Sequence, residues 1–179
     1  MSKKLFQLLE GNDRRSIGKS NAVVTMVCKN EKLFDELFNS LYTDDKVIRM
    51  RAADAIQKIV ELKPHTIKKY KYEVINEIAR IDQQEVRWHV AQIIPHLGLT
   101  KAETLIAFQI LNEYLNDKSK IVKTFSMQAL ADLTEINTAL TKKVIKIIEH
   151  QMKDGSPAMV SRGKKILNKL KSHKTSAKG

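Results

Sequence analysis

Ile48-Arg49-Met50-Arg51-Ala52-Ala53-Asp54-Ala55-Ile56 decides the fold, because it comes back. It returns 38 residues later as Val86-Arg87-Trp88-His89-Val90-Ala91-Gln92-Ile93-Ile94. It returns again after 36 residues as Val122-Lys123-Thr124-Phe125-Ser126-Met127-Gln128-Ala129-Leu130, and after 37 more as Met159-Val160-Ser161-Arg162-Gly163-Lys164-Lys165-Ile166-Leu167. A weaker copy, Ile17-Gly18-Lys19-Ser20-Asn21-Ala22-Val23-Val24-Thr25, precedes them. A near-constant period of this length is the signature of stacked repeats. Wound as a helix, the first, fifth, sixth, eighth and ninth positions of the motif share one broad apolar face. The small residue in that face (Ala22, Ala53, Ala91, the Ser126-Met127 pair, Gly163) marks where a neighbouring helix approaches closely, since a bulky side chain there would clash.

A second helix fits between successive copies. Apolar residues recur at spacings of three and four in Leu33, Leu37, Phe38, Leu41; in Ile67, Tyr70, Val74, Ile75, Ile78; in Leu105, Phe108, Leu111, Leu115; and in Leu140, Val144, Ile147, Ile148. These are the stripes of amphipathic helices. Breakers stand between the segments: Lys63-Pro64, Leu97-Gly98 and Asp154-Gly155-Ser156-Pro157. The last of these offers a serine N-cap followed by proline at the first helical position, so a final helix is expected from Pro157 onward.

A two-helix unit of about 36–38 residues resembles the HEAT repeat. The resemblance runs from about residue 13 to 171 and implies an all-α, right-handed α-α superhelix, an armadillo-like solenoid of about 4.5 helix pairs. It implies one repeat domain over residues 1–171, with residues 172–179 (Ser-His-Lys-Thr-Ser-Ala-Lys-Gly) expected to be a basic, disordered tail. In that family an aspartate in the inter-repeat turn and a basic residue early in the first helix form a ladder between units. The matching residues here are Asp44 or Asp45 before Arg49, Asp82 before Arg87, and Asp117 before Lys123. The match weakens toward the C-terminus, where the fifth copy has no partner helix and reads as a cap with a polar outer face.

Composition agrees with long helices. Apolar residues make up 42% of the chain, enough for a continuous core, while six glycines and three prolines are too few for the turns of a β-rich fold. No apolar run approaches the roughly 20 residues of a membrane-spanning helix, and the residues after Met1-Ser2-Lys3-Lys4 do not form a secretory signal. Cys28 has no second cysteine to pair with. A cytoplasmic protein without membrane insertion is the expectation.

No catalytic constellation is legible. His89 and His96 stand seven apart with Pro95 between them and no third ligand nearby, and His65, His150 and His173 are isolated, so no metal is expected. Nucleophile turns, phosphate-cradling glycine loops and paired cysteines are absent, and no small-molecule cofactor is implied. Asp44-Asp45 and Asp35-Glu36 read as turn and solvated-face residues rather than acid–base pairs. The HEAT resemblance raises one enzymatic alternative, the HEAT-like glycosylases that excise alkylated purines from DNA. Those enzymes use a tryptophan-rich groove with an aspartate, whereas this chain has the single Trp88 and no aspartate beside it.

Charge is the sharpest remaining feature. The net charge is +12, of which residues 117–179 carry 14 basic against 5 acidic side chains. Lys142, Lys143 and Lys146 on the penultimate helix, and Arg162, Lys164, Lys165, Lys169 and Lys171 on the last, are expected to form one basic patch. Its partner would be an acidic protein surface or, as the alternative, a nucleic-acid backbone bound without sequence preference. The patch lacks interleaved aromatics, which argues against base reading. Arg49 and Arg87 fit the ladder, while Arg51 and His89 occupy neighbouring positions in successive repeats and are weaker candidates for exposed contacts.

Overall fold

A computed structural model describes residues 3–13 and 15–176. Among the described residues every regular element is helical. The chain divides into two compact units, Met1–Gly98 and Leu99–Gly179.

The first unit begins with α1 (Lys3–Leu9) and α2 (Ser20–Lys29). A broken second helix follows α2, consisting of a 3-10 turn Glu31–Leu33, α3 (Phe34–Asn39) and another turn Ser40–Tyr42. Then comes the long α4 (Lys46–Leu62), a second broken partner made of Pro64–Tyr70, α5 (Lys71–Asn76) and Ile78–Arg80, and finally α6 (Gln84–Ile93). The Asp45 carboxylate starts α4 by accepting from the Val47 and Ile48 amides at 2.8 and 3.1 Å. Lys63 ends it because Pro64 offers no amide and restricts the residue before it. Pro95 likewise turns the end of α6 into the 3-10 turn Ile94–His96.

The second unit holds α7 (Glu103–Tyr114), α8 (Lys120–Ile136), α9 (Thr141–Lys153) and α10 (Pro157–Ser176). Ser156 caps α10 by accepting the Met159 amide at 3.4 Å, with Pro157 at the first helical position as the sequence predicts. α10 packs on both α8 and α9. Gly163 is what permits this: a Cβ there would press on Met152 of α9 and Met127 of α8. α10 runs through Ser176, five residues into the segment expected to be a tail, and Ala177, Lys178 and Gly179 lie outside the described residues.

The motif face is the core. Ile48, Ala52, Ala53, Ala55 and Ile56 are buried, as are Val86, Val90, Ala91, Ile93 and Ile94 in the first unit. So are Val122, Ser126, Met127, Ala129 and Leu130, and Met159, Gly163, Ile166 and Leu167, in the second.

Two expectations are corrected. Ala22 is exposed, and α2 buries Ser20, Val23 and Val27 instead. Gly18 adopts a left-handed φ of 53°, so residues 17–19 form a turn rather than the first turn of a helix, and the first copy slips out of register. Leu105 is half exposed, and α7 turns Thr104, Ala107, Phe108 and Leu111 inward.

Candidate interaction surface

The stacking period reappears as the sequence separation of polar cross-links. In the first unit, Lys63 Nζ reaches Glu31 at 2.5 Å and His65 Nε2 reaches the same carboxylate at 2.8 Å. Lys69 Nζ and the Tyr70 hydroxyl both donate to Asp35 at 2.6 Å, and the Tyr42 hydroxyl donates to Glu77 at 2.7 Å. Apart from Lys63, which ends α4, the partners lie along the second-helix segments, and each pair stands 32 to 35 residues apart. Hydrogen bonds from Lys63 and then His65 hold the Glu31 carboxyl below its ordinary range, and those from Lys69 and then Tyr70 do the same for Asp35. Phe38 stacks on the Tyr70 ring at 3.9 Å, so the apolar side of this face is matched as well. Much of the second-helix face of the first unit is therefore matched from within, although Lys32 and Lys68, exposed among the described residues, form no salt bridge.

The same register gives a different result in the second unit. Thirty-four residues separate Asp35 from Lys69. At that offset before Lys142, Lys143 and Lys146 stand Phe108, Gln109 and Asn112, none of which carries a negative charge. Lys143 Nζ lies 4.6 Å above the Phe108 ring, a cation–π contact rather than an ion pair. Among the described residues Lys142, Lys143, Lys146, Lys164 and Lys165 are exposed and form no salt bridge. Lys143 and Lys146 line a hollow of about 280 Å³ between α7 and α9, together with Asn112, Asn116, Ile147 and His150.

The eight predicted basic residues do not share one face. Lys142, Lys165 and Lys169 line a separate groove of about 800 Å³, walled by α8 and α10 and closed below by the turn into α9. Successive positions on a helix point about 100° apart, which sends Lys142 and Lys143 of α9 to different sides. Lys169 is matched by Glu135 at 2.6 Å, a bond that raises its ammonium pKa, and Lys171 by Glu149 at 3.0 Å. Arg162 is half-buried and donates to Gln128 at 3.2 Å.

Arg51 and His89 are not exposed contacts. Arg51 is 5% exposed, and its guanidinium donates to the carbonyls of Leu9, Glu10, Asp13 and Ser16. The chain wraps so closely that a Cβ on Gly11 or Gly18 would fall inside the guanidinium. Arg51 thus ties α1 and its following loop to α4. His89 is 7% exposed on α6, its Nδ1 lacks a partner, and burial first of all drives its pKa down to about 4. Asp54, its electrostatic neighbour on α4, accepts from buried Ser20 of α2 and from Lys58 at 2.7 Å. A serine, an aspartate and a histidine thus sit on three successive first helices, but the hydroxyl bonds the carboxylate rather than the imidazole, and all three are buried. The arrangement is a structural link and not a nucleophile with its base.

The ladder takes a modified form. Arg87 pairs with Asp82 at 2.9 Å as expected. Asp45, by contrast, is spent on capping α4, and Arg49 donates instead to the Leu41 and Thr43 carbonyls and to Gln83 of the next repeat. Gln83 returns a bond to the Lys46 carbonyl at 2.8 Å, so a neutral amide carries the inter-repeat rung.

Trp88 is half-buried with its ring edge-on to His89 at 5.5 Å. No group of three His, Cys, Asp or Glu side chains among the described residues could hold a metal ion, and no described helix is long and apolar enough to cross a membrane.

A family model described as a HEAT repeat domain matches residues 7–170. No curated protein and no solved structure matches the chain.

Proposed function

Because the chain belongs to the HEAT-repeat family, whose members are generally non-catalytic scaffolds, we propose that it binds an acidic protein surface through the lysines of α9. The observation that carries this reading is the register mismatch. The offset that supplies Asp35 to Lys69 supplies Gln109 and Asn112 to Lys143 and Lys146, so these ammonium groups have no internal counter-charge. Exposed ammonium groups of this kind steer and orient an oppositely charged partner more than they add raw affinity. A duplex needs a continuous run of cations along its phosphates. Division of the lysines between two separate hollows, one of them walled mostly by apolar surface, suits a protein better.

The test has two arms. Labelled duplex DNA titrated at about 50 mM salt, where counterion release favours binding most, should show no complex that survives at about 150 mM. Reversal of Lys142, Lys143, Lys146, Lys164 and Lys165 to glutamate should abolish capture of protein partners. Tight, salt-sensitive DNA binding would replace the protein reading with the nucleic-acid one, and unchanged capture would reduce the lysines to a solvated surface.

A further inference from the structure

The groove between α8 and α10 is distinct from the lysine stripe facing α7. Its hollow exists because short side chains line it: Ala131, Thr134, Thr138 and Ala139 leave space above Ile166 and Leu170. At about 800 Å³ it is as large as sites that enclose ligand groups. The Gln128–Arg162 and Glu135–Lys169 bonds tie the two helices together at both ends of a stretch of two helical turns, so the walls stand ready before anything binds. Its rim charges are unequal. Glu135 is matched by Lys169, and Asp132 accepts the Gln128 amide at 2.9 Å, whereas Lys142 and Lys165 have no carboxylate.

We infer that this groove seats an apolar side chain from an acidic segment of a partner protein, with flanking carboxylates of that segment meeting Lys142 and Lys165. The inference rests on the protein-binding reading above and adds to it an apolar anchor, the element that carries most of the energy in protein interfaces. A purely charged partner would leave the groove, whose exposed lining is mostly apolar, unmatched, and a purely apolar one would leave both ammonium groups uncompensated.

The probe is a fluorescein-labelled synthetic peptide with one central phenylalanine flanked by glutamates, followed by anisotropy against the whole chain at moderate salt. Replacing the phenylalanine by serine should weaken binding about tenfold, as should Ala139→Trp, which fills the seat from an exposed position. Lys165→Glu should act in the same direction and does not touch packing, and the Lys143→Glu/Lys146→Glu pair should change this peptide's affinity by less than about threefold. If binding ignores the phenylalanine and Ala139→Trp but falls with Lys143→Glu/Lys146→Glu, the groove inference is wrong and the lysine stripe stands. If no peptide binds and partner capture survives the five lysine reversals, both fall.

Discussion

Two second-helix faces built on one repeat register end up in opposite electrostatic states. In the first unit, Glu31 and Asp35 take up Lys63, His65, Lys69 and Tyr70. In the second, α7 carries Phe108, Gln109 and Asn112 at the corresponding offset, and Lys143 and Lys146 of α9 remain without carboxylates. A solenoid needs only its apolar face and a few rungs to stack. The outer polar positions are therefore at liberty either to pair within the stack or to stay open for something else. The contrast extends to the first helices: those of the first unit bury Arg51 against the carbonyls of the α1–α2 segment and, separately, the group of Ser20, Asp54 and His89, whereas α8 and α10 are joined by bonds at the surface, Gln128–Arg162 and Glu135–Lys169.

The largest effect should come from cutting the buried network of the first unit. Arg51→Met removes a guanidinium that satisfies four carbonyls of the α1–α2 segment, and by the cost of leaving such acceptors without a donor it should lower stability in urea by about 3 kcal/mol. An equivalent truncation in the second unit, Arg162→Met, removes one half-exposed bond to Gln128 and should cost about 1 kcal/mol or less.

Next comes pH. His89 has its pKa lowered to about 4, chiefly by burial, while the attraction of Asp54 works against that shift and Lys58 adds to it. The unfolded chain therefore binds the proton first. Stability is full above about pH 6.5 and falls as the pH drops toward 4, by at most about 3 kcal/mol for a shift of this size. His89→Leu should flatten that stretch of the stability–pH curve.

Smaller and more telling is an exchange of the two faces. Gln109→Glu with Asn112→Asp gives α9 the counter-charges that Asp35 provides in the first unit. It should raise stability by about 0.2–1 kcal/mol, the ordinary range of exposed pairs, and remove partner binding. The reverse change, Asp35→Ala, strips Lys69 and Tyr70 of their acceptor and should cost about 1 kcal/mol without abolishing binding.

Much of this was legible in the sequence. The nonapeptide beginning at Ile48 located the core faces of three further helices, because burial on stacking forces the same small and apolar residues into the same places. The first copy misled because Gly18 turns the chain where the pattern suggests helix. Arg51 and His89 looked available because polar residues on a first helix give no sign, in one dimension, of the loop or neighbouring helix that covers them. Ser20, Asp54 and His89 come together only through the stack, each 34 or 35 residues from the next. The lysines of the second unit stand out in the sequence as a basic cluster, but their division between two hollows is not visible there. The signal for the unpaired set was present all the same: aligning at the repeat offset sets Asp35 against Lys69 and Gln109 against Lys143.

The central claim is that α9 is an open basic face, while Glu31 and Asp35 of the first unit hold Lys63, His65 and Lys69 in ion pairs of their own. Titrating the isotope-labelled chain with an oligoglutamate peptide at low salt, followed by amide chemical shifts, tests it directly. Shifts centred on Lys143, Lys146 and His150, and lost in the Gln109→Glu/Asn112→Asp variant, are the predicted result. Equal shifts around Lys63 and Lys69, or shifts at Lys143 and Lys146 that persist in that variant, would contradict it.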